Sequence, residues 1–293
     1  MRKQSKISII VPVKNMAGKL SNFYSWTVEL NTDYELIVVH DLGDLETTKE
    51  LMSHLEKHVI CKYLYLEDTY GSPGAARNAG LKLATGEWVT FWDSDDVGQV
   101  VAINEWLRME ENKEVDFEVF RFTKFNALDA SEILQNNWDN DFNQNFLNWL
   151  VEPGIWRCLF RRSRIEELAF TEILMGEDQI FILDVLTKGI LPHFSNLNSY
   201  KYYLGNSGQL TNSKKAIMEI DQATKSILKR RISKSEIVTN AVDILWTKMS
   251  LTGLKKLSFH HKVKIGLQLI YFGLRHSQVR ITLFEVVRRK SRA

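Results

Sequence analysis

The apolar positions in the first hundred residues fall into short continuous runs separated by amphipathic stretches. The runs cover Ile7–Val13, Glu35–His40, Lys62–Leu66 and Trp88–Trp92. Runs of this kind are typical of parallel strands that are covered on both faces. The stretches between them have helical composition, so the pattern predicts an α/β fold with a doubly wound sheet.

One uninterrupted stretch, Gly71–Asp96, combines a loop, a helix, a strand and an acidic turn. Proline is favoured at the first helical position, so Pro73 marks the end of the loop. The alanine- and leucine-rich segment Ala75–Ala84 predicts the helix, and the aromatic segment that begins at Trp88 predicts the strand. The residues after this strand therefore lie at the carboxyl edge of the predicted sheet.

The strand is followed at once by Asp93, Ser94, Asp95 and Asp96. Ligands of open α/β sheets bind at the carboxyl ends of the strands. Asp93 and Asp95 are two residues apart and face one site if the extended backbone continues. Because Mg²⁺ takes one or two carboxylates together with water and phosphate oxygens, the turn predicts a divalent-cation site. The alternative is that Asp96 caps a helix beginning at Val97 and the other two carboxylates are solvated.

Further elements are predicted downstream of the acidic turn. Helical spacing covers Val97–Glu111, and alternation predicts a strand over Phe117–Phe125. Residues 129–148 are rich in Asn and Asp and predict a variable loop. Near the C-terminus, Lys262–Val287 interleaves apolar and basic residues and predicts one basic amphipathic helix.

Five segments occur in a defined order: ISIIVPVKN, IVVHDLGD, GAARNAGLKLATGEW, WDSDD and MGEDQIF. Through them, residues 7–205 resemble the family 2 glycosyltransferases of the type that build bacterial surface polysaccharides. The resemblance implies the GT-A fold, a Rossmann-like αβα sandwich with a mostly parallel central sheet. We expect this domain over residues 1–213, followed by a helical C-terminal region over residues 214–293.

The resemblance also implies a nucleotide-sugar donor, most naturally a UDP-sugar, with Mg²⁺ or Mn²⁺ held at Asp93 and Asp95. The family commonly has two adjacent aspartates after the second strand, and this chain has His40 and Asp41, so only Asp41 takes the base-binding role. Arg77 is expected near the diphosphate, the alternative being a surface ion pair. The donor-binding residues expected in all are Pro12, Val13, Asn15, Asp41, Arg77, Asp93, Ser94 and Asp95.

Two further sites follow from the same resemblance. Asp178, beside Glu177, corresponds to the general base that deprotonates the acceptor hydroxyl, which implies inversion at the anomeric carbon. The alternative is that both are capping acids at a helix N-terminus, where carboxylates are favoured. Trp156 and Arg157 correspond to the acceptor side, and the alternative for Trp156 is core packing.

The composition is that of an ordinary globular protein, with 44% hydrophobic and 25% charged residues. Two cysteines are too few for a disulfide framework and favour a reducing compartment. The N-terminal apolar run is too short for a signal peptide, and no uncharged run is long enough to span a bilayer. We therefore expect a cytoplasmic protein.

The net charge of +2 conceals a strong asymmetry. Residues 225–293 contain 16 Lys and Arg against 3 Asp and Glu, which leaves 22 against 33 for the rest of the chain. A basic amphipathic region of this kind indicates an anionic membrane surface as a partner, on the inner face of the cell membrane. The alternative is a helix packed on the catalytic domain. Nucleic acid is not expected, because no aromatic–basic platform is present.

Taken together, the sequence predicts a metal-dependent inverting glycosyltransferase acting on a glycan or lipid-linked glycan. One alternative is a nucleotidyltransferase, which would carry a glycine- and lysine-rich loop after its first strand, where this chain has KNMAG. The other is a non-catalytic protein that binds nucleotides or glycans on the same fold. The sequence does not identify the sugar, the acceptor or the oligomeric state.

Overall fold

The computed structural model describes residues 5–41, 43–56, 61–67, 71–109, 114–135, 137–205, 214–232, 235–256 and 259–290. Its contacts group the chain into two compact units. The first unit contains residues 1–138, 154–172 and 190–207, and the second contains residues 139–153, 173–189 and 208–293. The boundary predicted after residue 213 lies at the end of a stretch, residues 206–213, outside the described residues.

The first unit is built on one mixed sheet. Its described strands are β1 (Ile7–Val13), β2 (Tyr34–Asp41), β3 (Cys61–Leu66), β4 (Trp88–Phe91), β5 (Val97–Gly98), β6 (Phe117–Asn126), β7 (Glu132–Gln135), β8 (Cys158–Arg161) and β9 (His193–Leu204). They are ordered β3-β2-β1-β4-β8-β6-β9-β5, and β7 pairs with β6. The predicted α/β class is confirmed.

The doubly wound half of the sheet is parallel, as predicted. Strands β3, β2, β1 and β4 pair in parallel, with Val13 opposite His40 and Ile10 opposite Phe91. The carboxyl ends of these strands therefore meet at one edge. Pro12 is the second-to-last residue of β1.

Helices cover both faces of this half. They are α1 (Ser21–Thr27), α2 (Leu45–Leu55), α3 (Pro73–Leu83) and α4 (Val100–Trp106). Residues of α1, α2 and α4 pack with Ile9 and Val11 of β1 in one buried cluster. The neighbouring Ile10 points to the other face, where a Cβ on Gly80 of α3 would lie 2.4 Å from its side chain. Glycine lets α3 approach the sheet closely.

Beyond β4 the sheet is mixed, because β6 and β9 pair in parallel whereas the other pairings are antiparallel. Two expectations change in this part of the chain. Strand β8 runs antiparallel to both β4 and β6. Residues Val97–Gly98 form a short strand on β9, and the helix begins only at Val100 with Gln99 at its N-cap. Residues 129–148, expected as a loop, contain β7 and most of α5 (Phe142–Val151). A short helix, α6 (Arg162–Ile165), follows β8.

The second unit is helical. It contains α5, α7 (Glu177–Thr187), α8 (Lys214–Met218), α9 (Ile220–Lys229), α10 (Glu236–Lys256), α11 (Phe259–Arg275) and α12 (Ser277–Lys290). Helix α10 contacts α5, α7, α9, α11 and α12. Its side chains are buried around most of its circumference, including Asp243, Trp246 and Met249, as a central helix requires.

The C-terminal region is helical, as predicted, but its last segment is not one helix. Helices α11 and α12 are separate and meet at His276. Among the described residues, no helix has the length and apolar character required to cross a membrane.

Candidate functional site

The acidic turn lies at the carboxyl edge of the parallel strands, directly after β4. Asp93 and Asp95 are half-buried, whereas Ser94 and Asp96 are buried. The Asn22 side chain of α1 donates to the backbone carbonyl of Asp95 at 2.8 Å. The structure therefore holds the turn firmly while leaving two carboxylates open to solvent.

Asp96 anchors this turn to β9. Its carboxylate accepts from the backbone N–H of Tyr203 at 2.7 Å and from the Tyr200 hydroxyl at 3.2 Å. Burial raises the pKa of the Asp96 carboxyl well above its ordinary value, and the charges of Asp95 and Asp93 add to this. The alternative in which Asp96 caps the following helix is wrong, because Gln99 holds that position.

Tyr200 is a site residue that the sequence reasoning missed. Its hydroxyl donates to Asp96 and accepts from the backbone N–H of Asp93 at 3.0 Å. Burial raises its pKa well above the ordinary value, with Asp96 and Asp93 contributing. No sequence signal links Tyr200 to a turn more than a hundred residues earlier, since the contact depends on how β9 enters the sheet.

Arg77 lies beside the turn on α3 and is buried. Its guanidinium donates to the Asp93 carboxylate at 3.0 Å and lies 5.6 Å from the centre of the Phe170 ring. Arg77 therefore forms an ion pair with Asp93, but its side chain is buried, unlike in the surface ion pair considered from the sequence. The pair orients Asp93 and places a positive charge at the edge where a diphosphate would bind.

A second group lies at the ends of β1 and β2. The Lys14 ammonium is 4.0 Å from the buried Asp41 carboxylate. Gly71 has a φ of +74°, and a Cβ there would lie 2.5 Å from the Lys14 nitrogen and 3.8 Å from Asp41. Pro12 and Val13 precede this group in β1, and Asn15 is exposed with a φ of +50°. The loop before α3 is therefore shaped to admit Lys14.

His40, the neighbour of Asp41, is a buried packing residue. Its Nδ1 lies 2.9 Å from the Tyr63 hydroxyl, and its ring packs edge-on against Tyr65. The Tyr65 hydroxyl in turn donates to the carbonyl of Gly43 at 3.2 Å. Burial lowers the pKa of His40, although Asp44 and Asp41 oppose this. His40 therefore packs in the interior beside Asp41, and burial favours its uncharged form.

The donor set at the turn fits a divalent cation. In the described residues no group of three or more His, Cys, Asp and Glu side chains is arranged to enclose a metal. Two half-exposed carboxylates, Asp93 and Asp95, are the donors available. This suits Mg²⁺ or Mn²⁺, because hard cations in phosphate-binding sites take one or two carboxylates and complete their shell with water and phosphate oxygens.

The two residues expected on the acceptor side are held by aromatic contacts within the first unit. Trp156 stacks on Tyr200 and Tyr202, with ring centres 4.5 and 5.5 Å apart. Arg157 is buried, and its guanidinium lies 4.8 Å from the centre of the Phe122 ring. Trp156 therefore packs against Tyr200, the residue that anchors the acidic turn.

Glu177 and Asp178 lie in the second unit, in the first turn of α7. Gly176 precedes them with a φ of +89°, a backbone conformation that favours glycine. Glu177 is buried, and Asp178 is half-buried and accepts from the backbone N–H of Gln179 at 2.8 Å. Both positions suit carboxylates at a helix N-terminus, and the more open side chain is that of Asp178.

The chain is similar to two curated proteins that are both named as poly(ribitol-phosphate) glycosyltransferases. The chain is 27% identical over 212 residues to a poly(ribitol-phosphate) beta-glucosyltransferase of Bacillus spizizenii, covering 70% of this chain and 33% of that protein. It is 25% identical over 218 residues to the poly(ribitol-phosphate) beta-N-acetylglucosaminyltransferase TarP of Staphylococcus aureus, covering 68% of this chain and 62% of that protein. The chain spans about a third of the length of the first curated relatives it matches.

Solved structures share the fold. The S. aureus TarS fragment 1–349 in complex with UDP-GlcNAc superposes with a TM-score of 0.69 at 16% identity, covering 88% of this chain and 77% of that one. The mannosyltransferase PcManGT of Pyrobaculum calidifontis, in complex with GDP-Man and Mn²⁺, gives a TM-score of 0.60 at 15% identity, covering 97% and 85%. These likenesses confirm the GT-A fold.

The family assignment rests on the sequence itself. The model of glycosyl transferase family 2 matches residues 8–166, which span β1 to α6 and include the acidic turn, Asp41 and Arg77. The predicted resemblance is thereby confirmed, and this chain belongs to glycosyl transferase family 2.

Proposed function

We propose that this protein transfers a sugar from a nucleotide-sugar, a UDP-sugar, to a glycan or lipid-linked glycan acceptor, with inversion at the anomeric carbon. The proposal rests mainly on one observation. Two open carboxylates, Asp93 and Asp95, follow a buried strand in a turn braced by Arg77 and Tyr200, in a chain of family 2.

The nucleoside end of the donor is assigned to the ends of β1 and β2. The Asp41 carboxylate only accepts hydrogen bonds, which suits the N–H of a uracil base. Lys14 lies beside Asp41 and offsets its charge. Pro12 and Val13 end β1 at the same edge and Asn15 follows them, so we assign these three residues to the donor site as well. This supports a pyrimidine donor.

The diphosphate end is assigned to the acidic turn. Asp93 and Asp95 would hold Mg²⁺ or Mn²⁺, which supplies Lewis-acid stabilisation of the leaving nucleoside diphosphate. Arg77 orients Asp93 through their ion pair, and the Ser94 backbone between the two carboxylates is buried and fixed. Asp96 and Tyr200 hold the turn in place without reaching the solvent.

Asp178 is assigned as the general base that removes the proton of the acceptor hydroxyl. Its half-buried carboxylate is the more open of the two acids in the first turn of α7. A single base that acts on the acceptor predicts inversion, by the same reasoning as for inverting hydrolysis. Trp156 and Arg157 are assigned to the acceptor side, where the aromatic cluster supports the wall of the site.

The acceptor class is inferred from the relatives. Two of them are named as enzymes that transfer a sugar to poly(ribitol-phosphate). We infer an acceptor of the same general kind, a surface glycan or its lipid-linked precursor. Because two cysteines are too few for a disulfide framework and the C-terminal region is basic, we place the reaction in the cytoplasm, at the inner face of the cell membrane.

A donor panel tests the proposal. UDP-, GDP-, CDP- and dTDP-sugars are each added with and without Mn²⁺, and the melting temperature is measured. A donor that binds the folded state stabilises it by an amount that grows with the logarithm of the donor concentration relative to Kd, so we expect a metal-dependent rise with UDP-sugars. Stabilisation without any transfer to polymer acceptors would favour the non-catalytic alternative, and no stabilisation by any nucleotide-sugar would refute the proposal.

A further inference from the structure

Helix α11 is apolar on two opposite faces. Its inward face includes Ile265 and Leu269, which are buried, and Phe272, whose ring lies 4.6 Å from that of Trp246 in α10. Its outward face carries Val263 (47% exposed), Leu267 (63%), Ile270 (64%), Tyr271 (50%) and Leu274 (78%).

The outward residues form one continuous stripe. At 100° per residue their spacing places all five within an arc of about 100° of the helix surface. A contiguous exposed patch of apolar side chains on a protein surface marks an interaction site. On α12, Ile281 (47%) and Phe284 (70%) are exposed as well. We call the seven residues together the apolar stripe.

The charge around the stripe identifies what covers it. Residues 255–293 contain ten Lys and Arg and a single acid, Glu285, and that acid is buried. Arg275 and Arg280 are exposed next to the stripe, and the Arg275 guanidinium lies 4.4 Å from the centre of the Tyr271 ring. A second copy of this face would bring like charges together, whereas an anionic surface would neutralise them.

We propose that the apolar stripe is a membrane-docking surface, with α11 lying in the interface of an anionic bilayer and the flanking arginines on lipid phosphates. Nucleic acid offers no apolar phase for five exposed apolar side chains. A bilayer offers both the apolar phase and the negative charge that an interfacial helix requires. The proposal names a partner beyond the transfer reaction and does not depend on that reaction.

Vesicle sedimentation of the full chain tests it. The double variant Leu267→Glu/Leu274→Glu removes two stripe residues, and the matched control Val101→Glu/Leu128→Glu adds the same charge at two residues that are 71% and 89% exposed in the first unit. Vesicles are phosphatidylcholine alone or an equal mixture with phosphatidylglycerol. Circular dichroism and the melting temperature confirm that each variant is folded.

We expect the parent chain and the control to bind the anionic vesicles and not the neutral ones, with binding that falls steeply between about 0.05 and 0.5 M NaCl. The stripe variant should partition at least about tenfold more weakly, because two inserted leucines are replaced by charges. Equal partition of all three proteins, or no binding to anionic vesicles at low salt, would overturn the proposal. So would a concentration-dependent oligomer of the parent that the stripe variant abolishes, because the stripe would then be a subunit interface.

The outcome is separable from that of the transfer reaction. Donor-dependent stabilisation is measured on the same three proteins without vesicles. A stripe variant that loses vesicle binding but keeps donor binding tests the membrane proposal alone. A parent chain that binds vesicles but no donor would contradict the proposed function alone.

Discussion

The hydroxyl oxygen of Tyr200 lies 3.0 Å from the backbone nitrogen of Asp93, although the two residues are 107 positions apart. The same hydroxyl donates to the buried carboxylate of Asp96. One phenol on β9 thus fixes both ends of the acidic turn that follows β4. The carboxylates proposed to bind the metal are positioned by a strand that enters the sheet much later in the chain.

Replacing Tyr200 by Phe should therefore loosen the turn. The change leaves the Asp93 N–H without its acceptor and removes one of the two hydrogen bonds to the buried Asp96 carboxylate, which keeps its bond from the Tyr203 N–H. The loss costs about 1–3 kcal/mol of unfolding free energy. Donor affinity should fall as well. Denaturant unfolding and donor titration measure the two effects. The matched control is Tyr202→Phe, a phenol on the same strand whose ring also stacks on Trp156. An equal effect of both variants would contradict the anchoring role.

Gly71→Ala tests the contact between Lys14 and Asp41. A φ of +74° strains any residue with a Cβ by about 1–2 kcal/mol. The added carbon would also displace Lys14 from its place beside Asp41. The control, Gly18→Ala, has a comparable φ of +67° with nothing within 4 Å of the added carbon. We expect both to lose stability and only Gly71→Ala to lose UDP affinity in calorimetric titration. Equal affinities in the two variants would argue against a donor site here.

Asp95→Ala should abolish metal-dependent donor binding while leaving the fold intact. The side chain is half-buried at the end of a strand, so its removal opens no cavity in the core. The measurement is the Mn²⁺-dependent rise of the melting temperature with UDP, compared with that of Glu132→Ala, an exposed acid on β7. A full Mn²⁺-dependent rise in Asp95→Ala, or undiminished turnover of the parent chain in excess chelator, would rule out the metal role.

Asp178→Asn should keep donor affinity and lower kcat by about 10²-fold or more. The amide has nearly the same shape but cannot take up the acceptor's proton. Glu177→Gln is the comparison, because it changes the neighbouring acid in the same turn of α7. Normal turnover of Asp178→Asn with loss in Glu177→Gln would reverse the assignment. Retention of the donor's anomeric configuration, read by NMR of the product, would refute a single-base mechanism.

Glu35 should make stability depend on pH. Burial raises its pKa, but the ion pair with Lys62 and hydrogen bonds from Thr85 and Ser8 outweigh this and lower it below the ordinary 4.5. A lowered folded-state pKa stabilises the fold above the ordinary pKa, and that stability is lost as pH falls through the folded value. Glu35→Gln should therefore cost about 1–3 kcal/mol at pH 7, with the difference from the parent shrinking below about pH 4. A pH-independent difference in denaturant unfolding would exclude the ionised role.

The local pattern of the sequence determined the parallel half of the sheet. Short continuous apolar runs separated by helical stretches are typical of parallel strands covered on both faces. The runs at β1, β2 and β4 are buried in this way, whereas β3 at the edge of the sheet is largely half-buried. The same local logic located the acidic turn, because the residues that follow a buried parallel strand must emerge at the ligand-binding edge. The positions of Asp41 and Arg77 at that edge followed from the order of these elements.

Tertiary structure alone decided what braces those residues. The sequence left open that Asp96 caps a helix, yet it is the buried partner of Tyr200 and Tyr203. The sequence also left open a surface ion pair for Arg77, yet this residue is buried and paired with Asp93. The polar composition of residues 129–148 predicted a loop. The structure instead places most of α5 there, and this helix packs in the second unit against α10. Pairing between distant strands and helices has no local signature, since it depends on loop closure and on which surfaces remain to be covered. For this reason the sequence predicted which residues form the candidate site, and only the fold showed which contacts hold them.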